Sequence, residues 1–199
     1  IIPKDIVKDI LSTLLAANVY TEIYTTSAYI IQQSQFGDFT SKHELVLQTL
    51  PTQVDSLITE SENVEVVKIM PIAKDLSDKE NVDKILKEFI PKVVISWGVH
   101  PVILPLQFGI VTAPGISKKI AAEQIVSHLG INSKDVLAVG DSTTDWQFIE
   151  NCGYKVAMGN ATQELKALVS PSDHEKSFIA PSVEANGIIK AFRYFRLID

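Results

Sequence analysis

The 199-residue chain reads as an α/β protein, and three observations carry that reading. The apolar run Val136–Val139 enters Gly140-Asp141 without interruption, as a strand buried on both faces of a parallel sheet does. From about residue 113 onward, strand-like and helix-like segments alternate, which is the pattern of a parallel sheet with crossover helices. Before that point the order is a helix, two strands, weak helices and further strands, an α+β pattern. An α+β domain is therefore expected over residues 1–112 and a parallel-sheet domain over 113–199.

Each element has a local reason. Pro3–Asn18 places Ile6, Ile10 and Leu14 beside Val7, Leu11 and Leu15 on adjacent helical rows, with a proline near the first turn. Val19–Thr25 and Ala28–Ile31 are β-branched and aromatic, and predict two strands joined by a tight turn. Gln32–Thr40 is polar around Gly37 and predicts a loop. Ser41–Leu50 and Gln53–Ser61 are weakly helical on either side of a break at Pro51. Val64–Ile72 predicts a strand, with Pro71 near an end or on an edge. Ser77–Phe89 predicts a helix capped by Ser77, and Val93–Trp97, Val102–Gln107 and Gly109–Thr112 predict three short strands. Beyond Pro114-Gly115, a helix runs over Ser117–Leu129 with Ser117 as its cap and Gly130 as its stop. A strand over Asp135–Val139, a short helix over Trp146–Asn151, a strand over Tyr154–Met158 and a helix over Thr162–Val169 follow. Ser170–Pro181 predicts a loop and Val183–Phe195 a closing helix.

Composition narrows the function classes. With 46% hydrophobic and 21% charged residues the chain is ordinary for a globular protein. A net charge of −6 gives no general attraction to nucleic acid or anionic membranes. No apolar run reaches the roughly 18 residues that a bilayer crossing needs, and no leader peptide is visible at Ile1-Ile2-Pro3. The single cysteine, Cys152, rules out an internal disulfide framework and suits a reducing cytoplasm. His43, His100, His128 and His174 show no ligand spacing to one another, so zinc is not indicated.

The chemistry concentrates at Val136–Asp145. In open α/β sheets the ligand crevice lies at the carboxyl ends of the strands, where Asp141 would stand. A helix starting within the turn would bring Asp141 and Asp145 to one side, because residues four apart are neighbours. Two carboxylates so placed suit Mg²⁺, which takes few protein carboxylates and keeps several waters. An Asp after a buried strand also fits a helix N-cap, and its partner a solvated helix acid. The spacing alone leaves both readings open.

Three further motifs, with this one, decide between them. G-I-S-K opens a helix at 115–118, H-L-G-I stands at 128–131, V-G-D-S-x-x-D at 139–145 and V-A-M-G-N-A at 156–161. In order and spacing, residues 109–165 closely resemble the haloacid-dehalogenase-like phosphatases, specifically the Cof-type subfamily with a large α/β cap (type II, subclass B). The resemblance implies that residues 113–199 are the C-terminal part of a Rossmann-like core and residues 1–112 a cap that selects substrate. It implies phosphoryl transfer through an aspartyl-phosphate, with Mg²⁺ holding nucleophile and phosphate together. Lys118 matches the family's lysine, which offsets charge on the nucleophile and the phosphate. A cation is not favoured at a helix N-terminus, so its placement there asks for another reason than solvation. Asp141 matches the metal-binding acid, and Asp145 the second acid, which supports the metal shell or pairs with the lysine. Asn160 matches a position lining the crevice, although a loop Asn satisfying its own backbone would look the same. Thr144 stands where the family has Asn, whose amide reaches the phosphate or the nucleophile loop; threonine is shorter and lacks that amide.

One part of the family pattern is absent. The family's nucleophile and acid/base pair lie in an N-terminal D-x-D, and no D-x-D occurs in this chain. The expectation is a cap plus the C-terminal part of a core, without a nucleophile and inactive alone, with exposed apolar surface that favours self-association. The intact parent would be a cytoplasmic Mg²⁺-dependent phosphatase of a small phosphorylated metabolite, sugar phosphates being the family's commonest substrates. Two rivals remain: a non-catalytic binding or dimerisation module that keeps this fold, and a serine esterase suggested by Gly140-Asp141-Ser142. The esterase requires a distant Asp-x-x-His block, whereas Asp173 and His174 are adjacent and close in sequence.

Overall fold

The computed structural model describes residues 1–170 and 175–199, in a mixed α/β arrangement. The chain divides into two compact units, Ile1–Gly115 and Ile116–Asp199.

The first unit is built on a six-stranded sheet. Helix α1 (Lys4–Ala16) buries Ile6, Val7, Ile10, Leu11 and Leu14 along one face. Each such side chain taken fully out of water stabilises the unit by about 2 kcal/mol. Strands β1 (Tyr20–Tyr24) and β2 (Tyr29–Gln32) form an antiparallel pair, with Glu22 opposite Ile31. Helix α2 (Asp38–Leu47), strand β3 (Thr52–Val54), helix α3 (Leu57–Asn63), strand β4 (Lys68–Ala73), helix α4 (Leu76–Leu86), strand β5 (Val94–Gly98) and strand β6 (Gln107–Thr112) complete it. The strand order is β3-β2-β1-β4-β6-β5. Alternation along the strands sends Ile23, Ile30, Ile69 and Val111 toward α1, Leu57 of α3 and Leu86 of α4. Tyr20, Ile31, Met70, Ile72 and Phe108 face the other way, where Phe39 and Val46 of α2 meet them.

Several local readings change. Pro71 sits inside β4, a central strand, rather than near an end or edge. The pairing of β4 with β6 skips Met70 and Pro71, so the missing N–H costs no ladder bond there. Gly109 of β6 leaves the ring room, since a Cβ at that position would stand 2.7 Å from Pro71 Cγ. Within the expected loop Gln32–Thr40, Gln33–Gln35 is a 3₁₀ turn and α2 begins at Asp38. Thr52–Val54 pairs in parallel with β2 instead of opening a helix, and α3 starts only after Ser56, whose Oγ accepts from Thr59 N–H. Asp75, not Ser77, caps α4 by accepting from Asp78 N–H at 2.9 Å. Val102–Gln107 is not a strand; a 3₁₀ turn at Pro101–Ile103 replaces it, because Pro101 and Pro105 lack the N–H a ladder needs.

In the second unit, helix α5 (Lys118–Leu129) is capped as its sequence predicts. Ser117 Oγ accepts from Ile120 N–H, and Gly130 ends the helix at φ 64°. Strand β7 (Leu137–Gly140), helix α6 (Trp146–Ile149), strand β8 (Tyr154–Ala157), helix α7 (Gln163–Val169), strand β9 (Ser177–Ile179) and helix α8 (Gly187–Tyr194) follow. The three strands are parallel in the order β7-β8-β9. Ile149, Val156, Ala157, Leu165, Val169 and Ala191 form the core. β9 lies within the stretch expected as a loop; its pairing partner, β8, decides its conformation. Residues 171–174 of that loop, with Asp173 and His174, lie outside the described residues. A 3₁₀ turn at Val183–Ala185 precedes α8, so the closing helix starts four residues later than expected. Gly187 is needed there, since a Cβ would stand 1.9 Å from Pro181 O.

Candidate active site

The carboxyl end of β7 carries the chemistry of the second unit. Strand β7 ends at Gly140, and the chain turns through Asp141 and Ser142 into a 3₁₀ turn at Thr143–Asp145 that runs into α6. Asp145 is 4% exposed, folded back under the strand end. This position requires glycine at 140, because a Cβ there would meet Asp145 Cβ at 2.6 Å and Ile149 Cδ1 at 2.8 Å.

Both oxygens of Asp145 are engaged. Oδ2 accepts from the N–H groups of Asp141 and Ser142, each at 3.0 Å, and from Ser142 Oγ at 3.1 Å. Oδ1 accepts from the Lys118 ammonium at the start of α5, in a buried-acid, exposed-base ion pair. Burial by itself would raise the Asp145 pKa. The hydrogen bonds from Lys118, Ser142 N–H and Asp141 N–H, with the Lys118 charge, overcome this and hold it below the usual carboxylate range. The pair also explains a lysine at the positive end of a helix, since Asp145 supplies the compensating negative charge.

Asp141 is the complementary case. It is exposed, and no hydrogen bond or ion pair to another described residue engages its carboxylate. Its backbone is fixed: Asp141 O accepts from Thr162 N–H at 3.0 Å, and Gly140 O from Met158 N–H at 2.9 Å. Thr143 and Thr162 add a hydroxyl contact of 2.8 Å. One carboxylate is thus locked into the turn and the other held out on a fixed main chain.

Lys118, Asp141, Asp145 and Asn160 line one cavity of about 810 Å³, together with apolar residues such as Ile125 and Phe148. Asn160 is exposed, and its Oδ1 accepts from Val183 N–H at 3.2 Å, tying the turn after β8 to the start of the last segment. Thr144 does not line this cavity; its hydroxyl meets Ser142 Oγ at 2.8 Å on the outer side of the turn. Ser142 and Gly140, which build the turn, stand beside the acids in sequence but carry no chemical signal of their own. Asn186 lines the same cavity in the left-handed conformation at φ 56°, signalled only by the Asn-Gly pair.

Among the described residues no group of three or more His, Cys, Asp or Glu is gathered as a metal site. The donor set still suits a hard, hydrated cation, which needs one or two carboxylates and takes its other ligands from water and substrate. Asp141 offers such a carboxylate with no donor on it, while Asp145 carries four donors. Among the described residues no helix is long and apolar enough to cross a membrane.

Comparison with known proteins agrees with this architecture. The family model described as haloacid dehalogenase-like hydrolase matches residues 1–192. A 5-amino-6-(5-phospho-D-ribitylamino)uracil phosphatase of Bacillus subtilis, YwtE, is 25% identical over 91% of this chain and 66% of its own length. A phosphoglycolate phosphatase of Methanothermobacter thermautotrophicus is 32% identical over 42% of this chain and 35% of its own. A haloacid dehalogenase-like hydrolase from Bacteroides thetaiotaomicron superposes with a TM-score of 0.80 at 18% identity, over 100% of this chain and 68% of its own, a likeness of fold. The chain therefore spans a third to two thirds of the length of these relatives.

Proposed function

The chain belongs to the haloacid dehalogenase-like hydrolases, and from that premise we propose that the complete protein is a Mg²⁺-dependent phosphatase of small phosphorylated metabolites, sugar phosphates foremost. The observation that carries this reading is the division of labour at the end of β7: a free Asp141 carboxylate beside a Lys118–Asp145 pair. Named relatives are phosphatases of small phosphorylated compounds, which agrees with it.

In this reading residues 1–112 are the cap and 113–199 the C-terminal part of the core. Mg²⁺, held by Asp141, would screen the phosphate charge and polarise its oxygens. Lys118 is the residue that meets the transferring phosphoryl group, whose negative charge it offsets in the transition state. Asp145 holds the ammonium in place and braces the turn that carries Asp141. Asn160 lines the approach to the phosphate, whereas Thr144, whose hydroxyl pairs with Ser142 Oγ and does not line the cavity, has no contact with it. No aspartate in a D-x-D arrangement is present in these 199 residues, so we assign the phosphorylated nucleophile to residues outside them and expect the chain alone to be inactive. The single, buried free thiol of Cys152 accords with a cytoplasmic protein.

The test is release of inorganic phosphate from a panel of sugar phosphates by the complete protein, with Mg²⁺ and with excess chelator. Mg²⁺-dependent release supports the assignment; no release from any phosphate ester overturns it. A second reading, a binding or dimerisation module, is favoured by the open edge of β7 and by α5, none of whose residues is buried. It would show as stable association without hydrolysis in the complete protein.

A further inference from the structure

The Asp141 carboxylate is held by no hydrogen bond or ion pair to another described residue, so its place depends on the main chain that carries it. Two supports hold that main chain. Asp145 Oδ2 accepts from the N–H groups of Asp141 and Ser142, each at 3.0 Å. The other support is Thr162, in the turn between β8 and α7. Its N–H donates to Asp141 O at 3.0 Å, and its hydroxyl meets that of Thr143 at 2.8 Å. Thr162 therefore grips the segment at Asp141 and again two residues on.

The Thr162 hydroxyl has a second partner. As the N-cap of α7 it accepts from Leu165 N–H at 3.3 Å. A threonine hydroxyl carries one proton and two lone pairs, so the cap bond leaves capacity for Thr143 in either direction. Through this one side chain the turn after β7 is joined to the first turn of α7, a helix anchored by the buried Leu165 and Val169. Thr143 and Thr162 are both exposed. Water could satisfy each hydroxyl separately, but it would not fix the distance between the two segments.

We propose that Thr143 and Thr162 are positioning residues for the metal, their contact holding the Asp141 backbone so that its free carboxylate is preorganised for a hard divalent cation. The inference rests on the reading of Asp141 as the metal's carboxylate. A turn that wanders must be ordered when the cation binds, which weakens binding; a turn held in advance avoids that loss. Neither hydroxyl takes part in the chemistry, so the contact shows in metal affinity and not in turnover once the metal is saturating.

The experiment measures Mn²⁺ binding to the complete protein by electron paramagnetic resonance, beside the Mg²⁺ dependence of phosphate release. Thr143→Val removes one hydroxyl and leaves the cap of α7 in place; Thr162→Val removes contact and cap; Thr162→Ser keeps both. The Mn²⁺ dissociation constant and the half-saturating Mg²⁺ concentration should rise about threefold to tenfold in each Val variant, with kcat at saturating Mg²⁺ within about twofold of wild type. Thr162→Ser should bind as wild type does. Wild-type affinity in Thr143→Val overturns the proposal, because Thr162 then serves only as a helix cap. Affinity as weak in Thr162→Ser as in Thr162→Val overturns it too, since the hydroxyl is kept. No Mn²⁺ binding by the wild type overturns the metal reading of Asp141 and this inference with it, whereas a wild type that binds and Val variants that match it overturn the inference alone.

Discussion

The Lys118 ammonium, at the first residue of α5, donates to Oδ1 of Asp145, while Oδ2 of the same carboxylate closes the turn that follows β7. One buried acid thus joins the family-matching lysine to the strand end that presents Asp141, and the pair moves or holds as a unit.

Asp145→Asn removes the charge and one acceptor set from a buried turn. Urea unfolding of the chain near neutral pH should show a loss of about 1–3 kcal/mol. The pH dependence has a defined sign. The folded pKa of Asp145 lies below its unfolded value of about 3.9, so its contribution is full above that value and fades as pH falls through the folded one. The variant should therefore lose the least, relative to wild type, at the acid end of the series. A difference that grows with acid would contradict the ion pair.

Gly140→Ala places a methyl 2.6 Å from Asp145 Cβ and 2.8 Å from Ile149 Cδ1. Overpacking of this kind costs about 1–3 kcal/mol, readable as a lowered urea midpoint at an unchanged slope. Wild-type stability in this variant would mean that the turn is not packed under the strand as described.

Lys118→Met tests the chemistry. It leaves the buried Asp145 carboxylate with its three turn donors but without its ammonium, so the fold should lose about 1–3 kcal/mol. In the complete protein kcat should fall by about 10²–10³, the cost of removing one charge stabiliser from a transition state. Unchanged kcat would return Lys118 to the solvated surface.

Much of the second unit is written locally. Ser117 and Gly130 bound α5 by cap and stop, and the apolar run before Gly140 is a strand as expected, but an edge strand in which Leu137 and Val139 are half-buried rather than buried on both faces. The three-residue strands β3 and β9 are not so written; β2 and β8 recruit them by pairing, a long-range choice that leaves no local period. Pro71 reads as an edge residue because the compensating Gly109 lies far along the chain. At the site, the spacing of Asp141 and Asp145 places both at one turn. It does not say which carboxylate is spent on Lys118 and which is left free; that depends on burial.

The β7 edge and the exposed side chains of Ile125, Leu129, Val183 and Ile188 are the surface that the proposed association would use. Light scattering should report self-association that rises with concentration. Ile125→Lys should reduce it without lowering the urea midpoint. A chain that stays monomeric throughout would contradict this account of the surface.

The central claim is that Asp141 serves the metal. Its most direct test is Mg²⁺-dependent hydrolysis of a simple phosphate ester by the complete protein carrying Asp141→Ala. The account predicts that hydrolysis is abolished while the thermal unfolding of the variant matches wild type. Undiminished hydrolysis would contradict it, because the free carboxylate at the end of β7 would then have no part in the reaction.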